Sequence, residues 1–107
     1  MEQSRILVAD DDRLVRVMFA RGLREANYEV LEACDGREAA DLGCEHKPDL
    51  AILDLCLPHL SGIEAARELR DTAGVPFIFL SGYSDEDLVK QATKEGALGY
   101  VVKPIKV

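Results

Sequence analysis

Short apolar runs alternate along the chain with longer amphipathic stretches. Four runs are almost uniformly apolar and a fifth alternates with glutamates; together they span residues 6–9, 28–33, 50–53, 77–80 and 100–102. Uniformly apolar runs are typical of strands covered on both faces, whereas the interleaved polar residues of 28–33 suit an edge strand. The pattern predicts five strands.

Between the runs, apolar residues recur at helical spacing in four stretches: 13–26, 36–46, 61–73 and 84–96. Three stretches begin at or directly after a helix-capping residue, Asp35, Ser61 or Ser84, each with an acidic residue three positions later. Gly74 and Gly96 are predicted to end two of the helices, because glycine readily adopts the left-handed cap conformation. Strict alternation of strand and helix predicts βαβ units, and hence an α/β domain with a parallel sheet and right-handed crossovers.

Composition narrows the class of protein. The 107 residues fit one domain, and a formal net charge of -7 argues against direct binding of nucleic acid by this segment. Three cysteines without CxxC spacing support neither a disulfide framework nor a zinc site, and predict free, buried thiols in a reducing compartment. With no signal-peptide pattern and no apolar stretch of roughly 20 residues, we expect a cytoplasmic protein that does not enter the membrane.

Chemically distinctive residues follow the predicted strands. Asp10 and Asp11 follow the first run, Asp54 the third, Ser81 the fourth and Lys103 the fifth. The carboxyl ends of parallel strands share one edge of an open sheet, where ligands bind. We therefore expect these five side chains to converge although they are far apart along the chain.

Three converging carboxylates repel one another unless a cation neutralises them. Their hard oxygen atoms select Mg²⁺, with Mn²⁺ as a related alternative. A carboxylate beside such an ion, a lysine and a hydroxyl is equipped to attack a phosphoryl group, because the cations stabilise the charge of the transition state. The sequence thus favours phosphoryl chemistry.

Four segments carry a family resemblance in the correct order and cover nearly the whole chain: 6–12, 52–62, 79–83 and 100–104. They resemble the acidic strand, the phosphoacceptor segment, the hydroxyl-bearing strand and the aromatic-plus-lysine ending of response-regulator receiver domains. The resemblance implies a flavodoxin-like, doubly wound parallel sheet of five strands in the order 2-1-3-4-5. It also implies a receiver domain that signals in a two-component phosphorelay and is not an enzyme beyond its own phosphotransfer and autodephosphorylation.

For the metal and the phosphoryl group, the resemblance implies specific residues. Asp54 would accept a phosphoryl group from a sensor histidine kinase or a histidine phosphotransfer protein. Asp11 and Asp54 would bind Mg²⁺ through their side chains, the backbone carbonyl of Cys56 would complete the set, and Asp10 would act mainly through metal-bound water.

For the switch, the resemblance implies that Lys103 pairs with the phosphoryl oxygens and that Ser81 moves to bond them. Tyr100 would then swing inward and alter the surface formed by the fourth helix and fifth strand, where an output region or a second copy would bind. The peptide between Lys103 and Pro104 is often cis in the family.

The family fold continues with a fifth helix after the lysine–proline segment, whereas this sequence ends at Val107. We expect residues 1–107 to form a receiver domain without that helix, with any output domain beyond residue 107. The missing helix should leave an apolar strip exposed unless a second copy covers it, as in a homodimer through that open face.

Other functions remain as alternatives. A degenerate receiver would act as a phosphorylation-independent binding module, although all five key positions are filled here. A phosphatase with an aspartate nucleophile would need Asp-x-Asp after the first strand, and a flavodoxin-like cofactor binder would need a phosphate-binding loop there. Neither pattern is present, since three consecutive acids occupy that position.

Overall fold

Five parallel strands and four α-helices alternate in the computed structural model, which describes residues 3–82 and 86–103 apart from the side chain of Leu88. The strands are β1 Arg5–Ala9, β2 Glu29–Ala33, β3 Leu50–Asp54, β4 Phe77–Ser81 and β5 Gly99–Val102. The helices are α1 Arg13–Glu25, α2 Gly36–His46, α3 Gly62–Glu68 and α4 Glu86–Lys94, and a π-helical segment, Leu69–Ala73, continues α3.

The strands form one sheet in the order β2-β1-β3-β4-β5, with every neighbouring pair parallel. This confirms the predicted flavodoxin-like architecture and the edge position of β2. The last strand, β5, is the other edge, and its Val101 and Val102 are more than a third exposed. Its apolar run therefore predicted more burial than the strand has.

Alternate residues of the central strands enter two separate core layers. On one face, Leu7, Leu53 and Phe79 pack with the residues that α2, α3 and α4 bury. On the other face, Val8 and Leu80 pack with the residues of α1. Because both faces are covered, the central strands can be apolar throughout.

Polar caps begin the helices largely as the sequence predicts. The Asp35 carboxylate accepts from Glu38 N, and Ser61 and Glu64 form a complete capping box. Asp12 caps α1 by accepting from two backbone amides. Ser84 lies outside the described residues.

The stretch predicted as a single helix from 61 to 73 changes its winding at Leu69, where α-helical turns give way to π-helical ones. Leu69 is fully buried in the space left by Gly43, where a Cβ atom would overlap the leucine side chain. The π-helical segment ends at Gly74, which has a φ of 65° as predicted. The wider winding accompanies the close approach of this leucine to α2.

An exposed apolar strip runs along α1. Leu14 is 62% exposed, and Val17 and Met18 are each more than 40% exposed. Within 3–82 and 86–103 there are four α-helices and no fifth one beside α1. The strip lies on the face where the sequence predicts an uncovered surface.

The cysteines correct one prediction. All three are free, but Cys34 and Cys56 are exposed and Cys44 is partly buried. The first two lie in loops at the carboxyl edge of the sheet, where the apolar character of a thiol does not ensure burial. In the described part of the chain, no helix has the length and apolar character that crossing a membrane requires.

Candidate functional site

Acidic side chains meet at the carboxyl edge of the sheet. Asp10 and Asp11 follow β1 and Asp54 ends β3, the strand paired with β1. One carboxylate oxygen from each of the three lies within 4.8 Å of the others. Lys103, directly after β5, reaches the same point, so the convergence expected from the topology is present.

Asp54 is held from two sides. The residue is 4% exposed; its Oδ1 accepts from the Cys56 amide at 3.1 Å, and its Oδ2 accepts from Lys103 Nζ at 2.8 Å. The loop after β3 is held against it, because Gly62 N donates to Leu55 O at 3.1 Å. A Cβ atom at Gly62 would overlap the Asp54 backbone carbonyl. Only glycine allows this turn to close behind the aspartate.

Asp10 is fully buried beside it. Its amide donates to Ala33 O at 3.1 Å, and its Oδ1 accepts from the Asp12 amide at 2.9 Å. Its Oδ2 lies 2.8 Å from Lys103 Nζ in an ion pair, but accepts no hydrogen bond of acceptable geometry from the described residues. This buried oxygen, at the centre of the cluster, can therefore accept a further hydrogen bond.

Burial and charge shift two pKa values at the site. Burial raises the pKa of Asp10, and the neighbouring Asp54 charge raises it further against the opposing effects of Lys103 and the Asp12 amide. Burial alone would lower the pKa of Lys103, but its contacts with Asp10 and Asp54 outweigh that effect and raise it. The lysine is therefore held as a cation between two carboxylates.

Asp11 is exposed, and its carboxylate accepts no hydrogen bond from the described residues. The three-carboxylate cluster therefore has one solvent-facing member and two buried ones. Closely spaced carboxylate oxygens are the donor set of a hard divalent cation, and a site open on one side leaves room for water and phosphoryl ligands. The residues present fit Mg²⁺.

Other predicted site residues surround the cluster. Ser81 is buried at the end of β4, and its backbone oxygen accepts from Lys103 N at 2.7 Å. Tyr100 lies opposite Phe79 in the sheet register and packs against the core layer below α4. The peptide joining Lys103 to residue 104 extends beyond the described residues. The switch roles of Ser81 and Tyr100, and the ligand role of the Cys56 carbonyl, stay predictions.

Sequence reasoning missed one residue that contacts this site. Arg16, on the second turn of α1, donates from Nη1 to Asp10 O at 3.0 Å and from Nε to Glu32 Oε1 at 3.3 Å. Its acceptors are a backbone carbonyl and a glutamate on a different strand. Neither contact has a sequence signal, because only the folded chain brings them together.

Comparison with known proteins identifies a family for nearly the whole chain. Residues 6–107 match the family described as the response regulator receiver domain. The transcriptional regulatory protein PdtaR of Mycobacterium tuberculosis is 43% identical over 104 residues, which are 96% of this chain and 51% of that protein. The chain thus spans about half the length of the curated relatives that it matches.

Solved structures share the fold. Chemotaxis protein CheY4 of Vibrio cholerae superposes with a TM-score of 0.85 and 28% identity, covering 98% of this chain and 90% of that one. A response regulator of Burkholderia pseudomallei, solved with a phosphorylated aspartic acid, a calcium ion and citrate, has a TM-score of 0.88 and 32% identity. That match covers 98% of this chain and 62% of the other.

Proposed function

Because this chain belongs to the response regulator receiver family, we propose that Asp54 accepts a phosphoryl group from a phosphohistidine. The donor would be a sensor histidine kinase or a histidine phosphotransfer protein, and the reaction would take place in the cytoplasm. One observation carries the proposal: the buried Asp54 carboxylate lies within 4.8 Å of two further carboxylates and accepts from Lys103 at 2.8 Å. A carboxylate in this setting is a positioned nucleophile with charge compensation at hand.

The chain's own groups have distinct parts in the transfer. An oxygen of Asp54 would form a bond to phosphorus as the bond between phosphorus and the donor histidine nitrogen breaks. Lys103 would stay protonated, consistent with its raised pKa, and would offset negative charge on the phosphoryl oxygens. The Cys56 amide, which now holds Asp54 Oδ1, keeps the carboxylate oriented.

Asp11 and Asp54 would hold the divalent cation through their side chains and Asp10 mainly through water, with the Cys56 backbone carbonyl as a further ligand. When bound, Mg²⁺ would neutralise part of the carboxylate charge and of the charge that spreads over the phosphoryl oxygens. Support comes from the oxygen-only donor set and from the related Burkholderia pseudomallei structure, whose description includes a phosphorylated aspartic acid and a calcium ion. Mn²⁺ is expected to substitute, because it also prefers oxygen ligands.

The direct test is incubation with acetyl phosphate and Mg²⁺ followed by intact-mass measurement. The wild type should gain the mass of one phosphoryl group, and Asp54→Asn should gain none. Chelation of the metal should abolish the gain. Asp41→Asn, an exposed aspartate on α2, is the matched control and should label like the wild type.

Partner-binding and phosphate-release assays beside this labelling experiment separate the alternatives. An unlabelled wild type that still binds a partner would favour a phosphorylation-independent binding module. Continuous release of inorganic phosphate from varied phosphate esters would favour a phosphatase. Labelling of Asp54→Asn would show that another residue is the acceptor.

We extend the proposal to the output surface, formed by α4 and β5. Apolar side chains are exposed there, namely Val89, Leu98, Val101 and Val102. Phosphorylation would favour one arrangement of Ser81 and Tyr100 and thereby the form of this surface that binds a second copy or an output region. PdtaR and other relatives are about twice as long as the matched segment. We propose that any output domain of this protein lies beyond residue 107.

Sedimentation of phosphorylated and unphosphorylated chain would test this coupling. Tyr100→Ala should still label at Asp54 but should lose phosphorylation-dependent association. Association that remains dependent on phosphorylation in Tyr100→Ala would exclude the tyrosine as the coupling element. A dimer that forms equally in both states would instead implicate the exposed strip of α1.

A further inference from the structure

Arg16 joins the acidic cluster to the rest of the fold. Its side chain is 16% exposed and contacts two elements at once, with Nη1 on Asp10 O at 3.0 Å and Nε on Glu32 Oε1 at 3.3 Å. The other oxygen of Glu32 lies 3.1 Å from Arg24 Nη2, which also donates to Val30 O. A continuous polar chain therefore runs from Arg24, in the last turn of α1, through Glu32 on β2 and back to Arg16, which donates to the backbone of Asp10.

The carbonyl that Arg16 holds belongs to the peptide that joins Asp10 to Asp11. The oxygen of Asp10 and the amide nitrogen of Asp11 belong to the same rigid peptide plane. Rotation of that plane would swing the Asp11 side chain relative to the Asp10 carboxylate, which accepts from the Asp12 amide and pairs with Lys103. The Asp11 carboxylate accepts no hydrogen bond from the described residues, so its position depends on its backbone.

We propose that Arg16 is a positioning residue for the metal site, acting through the Asp10–Asp11 peptide to keep the Asp11 carboxylate within reach of a cation shared with Asp10 and Asp54. This inference rests on the proposed function, since it concerns the same Mg²⁺ site. Arginine suits the role because its planar guanidinium directs donors to two acceptors in fixed relative directions. Lysine carries the same charge but cannot reproduce both bonds.

The positioning role of Arg16 and its positive charge predict opposite effects on Mg²⁺ affinity, and this difference makes the role testable. Arg16 is a cation near a cation site, so removal of its charge alone would strengthen Mg²⁺ binding. Loss of the positioned peptide would weaken binding, because supporting contacts hold metal ligands in the geometry that the ion needs. Arg16→Lys keeps the positive charge but removes the planar guanidinium that donates to two acceptors. Its effect on Mg²⁺ binding therefore reports on positioning and not on charge.

The test is a titration of the unphosphorylated chain with MgCl₂ alone, in which calorimetry measures the heat of binding. Arg16→Lys should bind Mg²⁺ about tenfold more weakly than the wild type, a loss typical of altered supporting contacts. Arg21→Lys is the matched control: it lies on the same helix, is 81% exposed and pairs only with Glu25 among the described residues, so its affinity should match the wild type. With acetyl phosphate, Arg16→Lys should need about tenfold more Mg²⁺ for half-maximal labelling, yet reach a similar rate at saturation.

An Arg16→Lys affinity equal to or tighter than that of the wild type would overturn the proposal. A merely structural role would lower the labelling rate at saturating Mg²⁺ as well, and this result would also overturn it. If Arg16→Lys does not fold, Glu32→Gln replaces it, since it loosens the guanidinium while Arg16 stays in place. Glu32→Gln should also weaken Mg²⁺ binding, and unchanged binding there counts against positioning.

The proposed function fails by different results. A wild type that binds Mg²⁺ but is never phosphorylated at Asp54 would contradict the proposed phosphoryl acceptance. The Mg²⁺ affinities of Arg16→Lys and Arg21→Lys would still test the positioning role. If the wild type is phosphorylated normally and Arg16→Lys binds Mg²⁺ with the same affinity as the wild type, only the positioning role of Arg16 is rejected. A wild type that binds no Mg²⁺ would reject both.

Discussion

The two halves of the sheet differ in how their helices are held. Beside β2, β1 and β3, the helices α2 and α3 bury a series of small residues: Gly36, Ala39, Ala40, Gly43, Gly62, Ala65 and Ala66. Small residues let helices approach closely and pack densely. Beside β4 and β5, Ala92 is the only buried residue among the described side chains of α4.

Polar contacts partly replace packing in the second half. Glu95, just after α4, accepts from Arg67 Nε at 2.9 Å and Nη2 at 2.7 Å, and its backbone oxygen accepts from Arg70 at 2.8 Å. Ion pairs near solvent can break and re-form at small cost, whereas a dense apolar interface cannot. The half that the proposed switch requires to move is thus the half held by exchangeable contacts.

Leu69→Ala should have the largest effect, because it removes a fully buried side chain from the tightly packed half. We expect a loss of about 3 kcal/mol in the free energy of unfolding, measured by urea denaturation. Leu98→Ala, at a position that is 72% exposed beside β5, is the control and should change stability by less than about 0.5 kcal/mol. Similar losses at both positions would contradict the contrast between the halves.

Asp10→Asn should stabilise the metal-free chain by about 1 kcal/mol, because it removes a buried charge that faces Asp54. Thermal unfolding in a chelator measures this gain, and calorimetry should show weaker Mg²⁺ binding. Asp41→Asn, on the exposed side of α2, should change neither. A loss of stability in Asp10→Asn would mean that its contacts with Lys103 and Asp12 outweigh the burial of its charge.

Glu95→Gln should lower the Tm by less than Leu69→Ala does, because the contact that it weakens is partly exposed. Hydrogen exchange should increase in α4 and stay unchanged in α2. Glu25→Gln, which weakens an exposed pair with Arg21, provides the matched comparison. Equal exchange increases in both helices would show that Glu95 supports the whole fold and not α4 alone.

Lowering the pH should remove the stabilisation that the Glu95 carboxylate gives to the fold. We expect this to be the smallest of these effects. The hydrogen bond from Arg67 lowers the pKa of Glu95 from its ordinary value of 4.5. At a pH between the folded and the unfolded pKa of Glu95, the unfolded chain binds more protons than the folded chain does. The stabilisation from the ionised Glu95 is therefore complete above pH 4.5 and is lost as the pH falls through the folded pKa. The Tm difference between wild type and Glu95→Gln should therefore shrink at acid pH; a constant difference would exclude this carboxylate as its source.

The sequence predicted the strand order through its family resemblance, and most element bounds through local pattern. Ser61 and Glu64 identified a helix start, and Gly74 identified an end, because capping depends on residues adjacent in the chain. The π-helical winding after Glu68 was not predictable, since it accompanies the packing of Leu69 against α2. Exposure of the Val101 and Val102 side chains was also missed, because an apolar run does not reveal whether other elements cover both faces of a strand.

The convergence of Asp10, Asp11, Asp54 and Lys103 was already determined by the amino-acid sequence, because parallel strands bring their carboxyl ends to one edge whatever the packing details. Tertiary structure alone decided that Asp10 is buried while Asp11 is exposed, and that Arg16 holds the peptide between them. Burial and backbone contacts of this kind depend on neighbours from other strands and helices, and no local pattern encodes them.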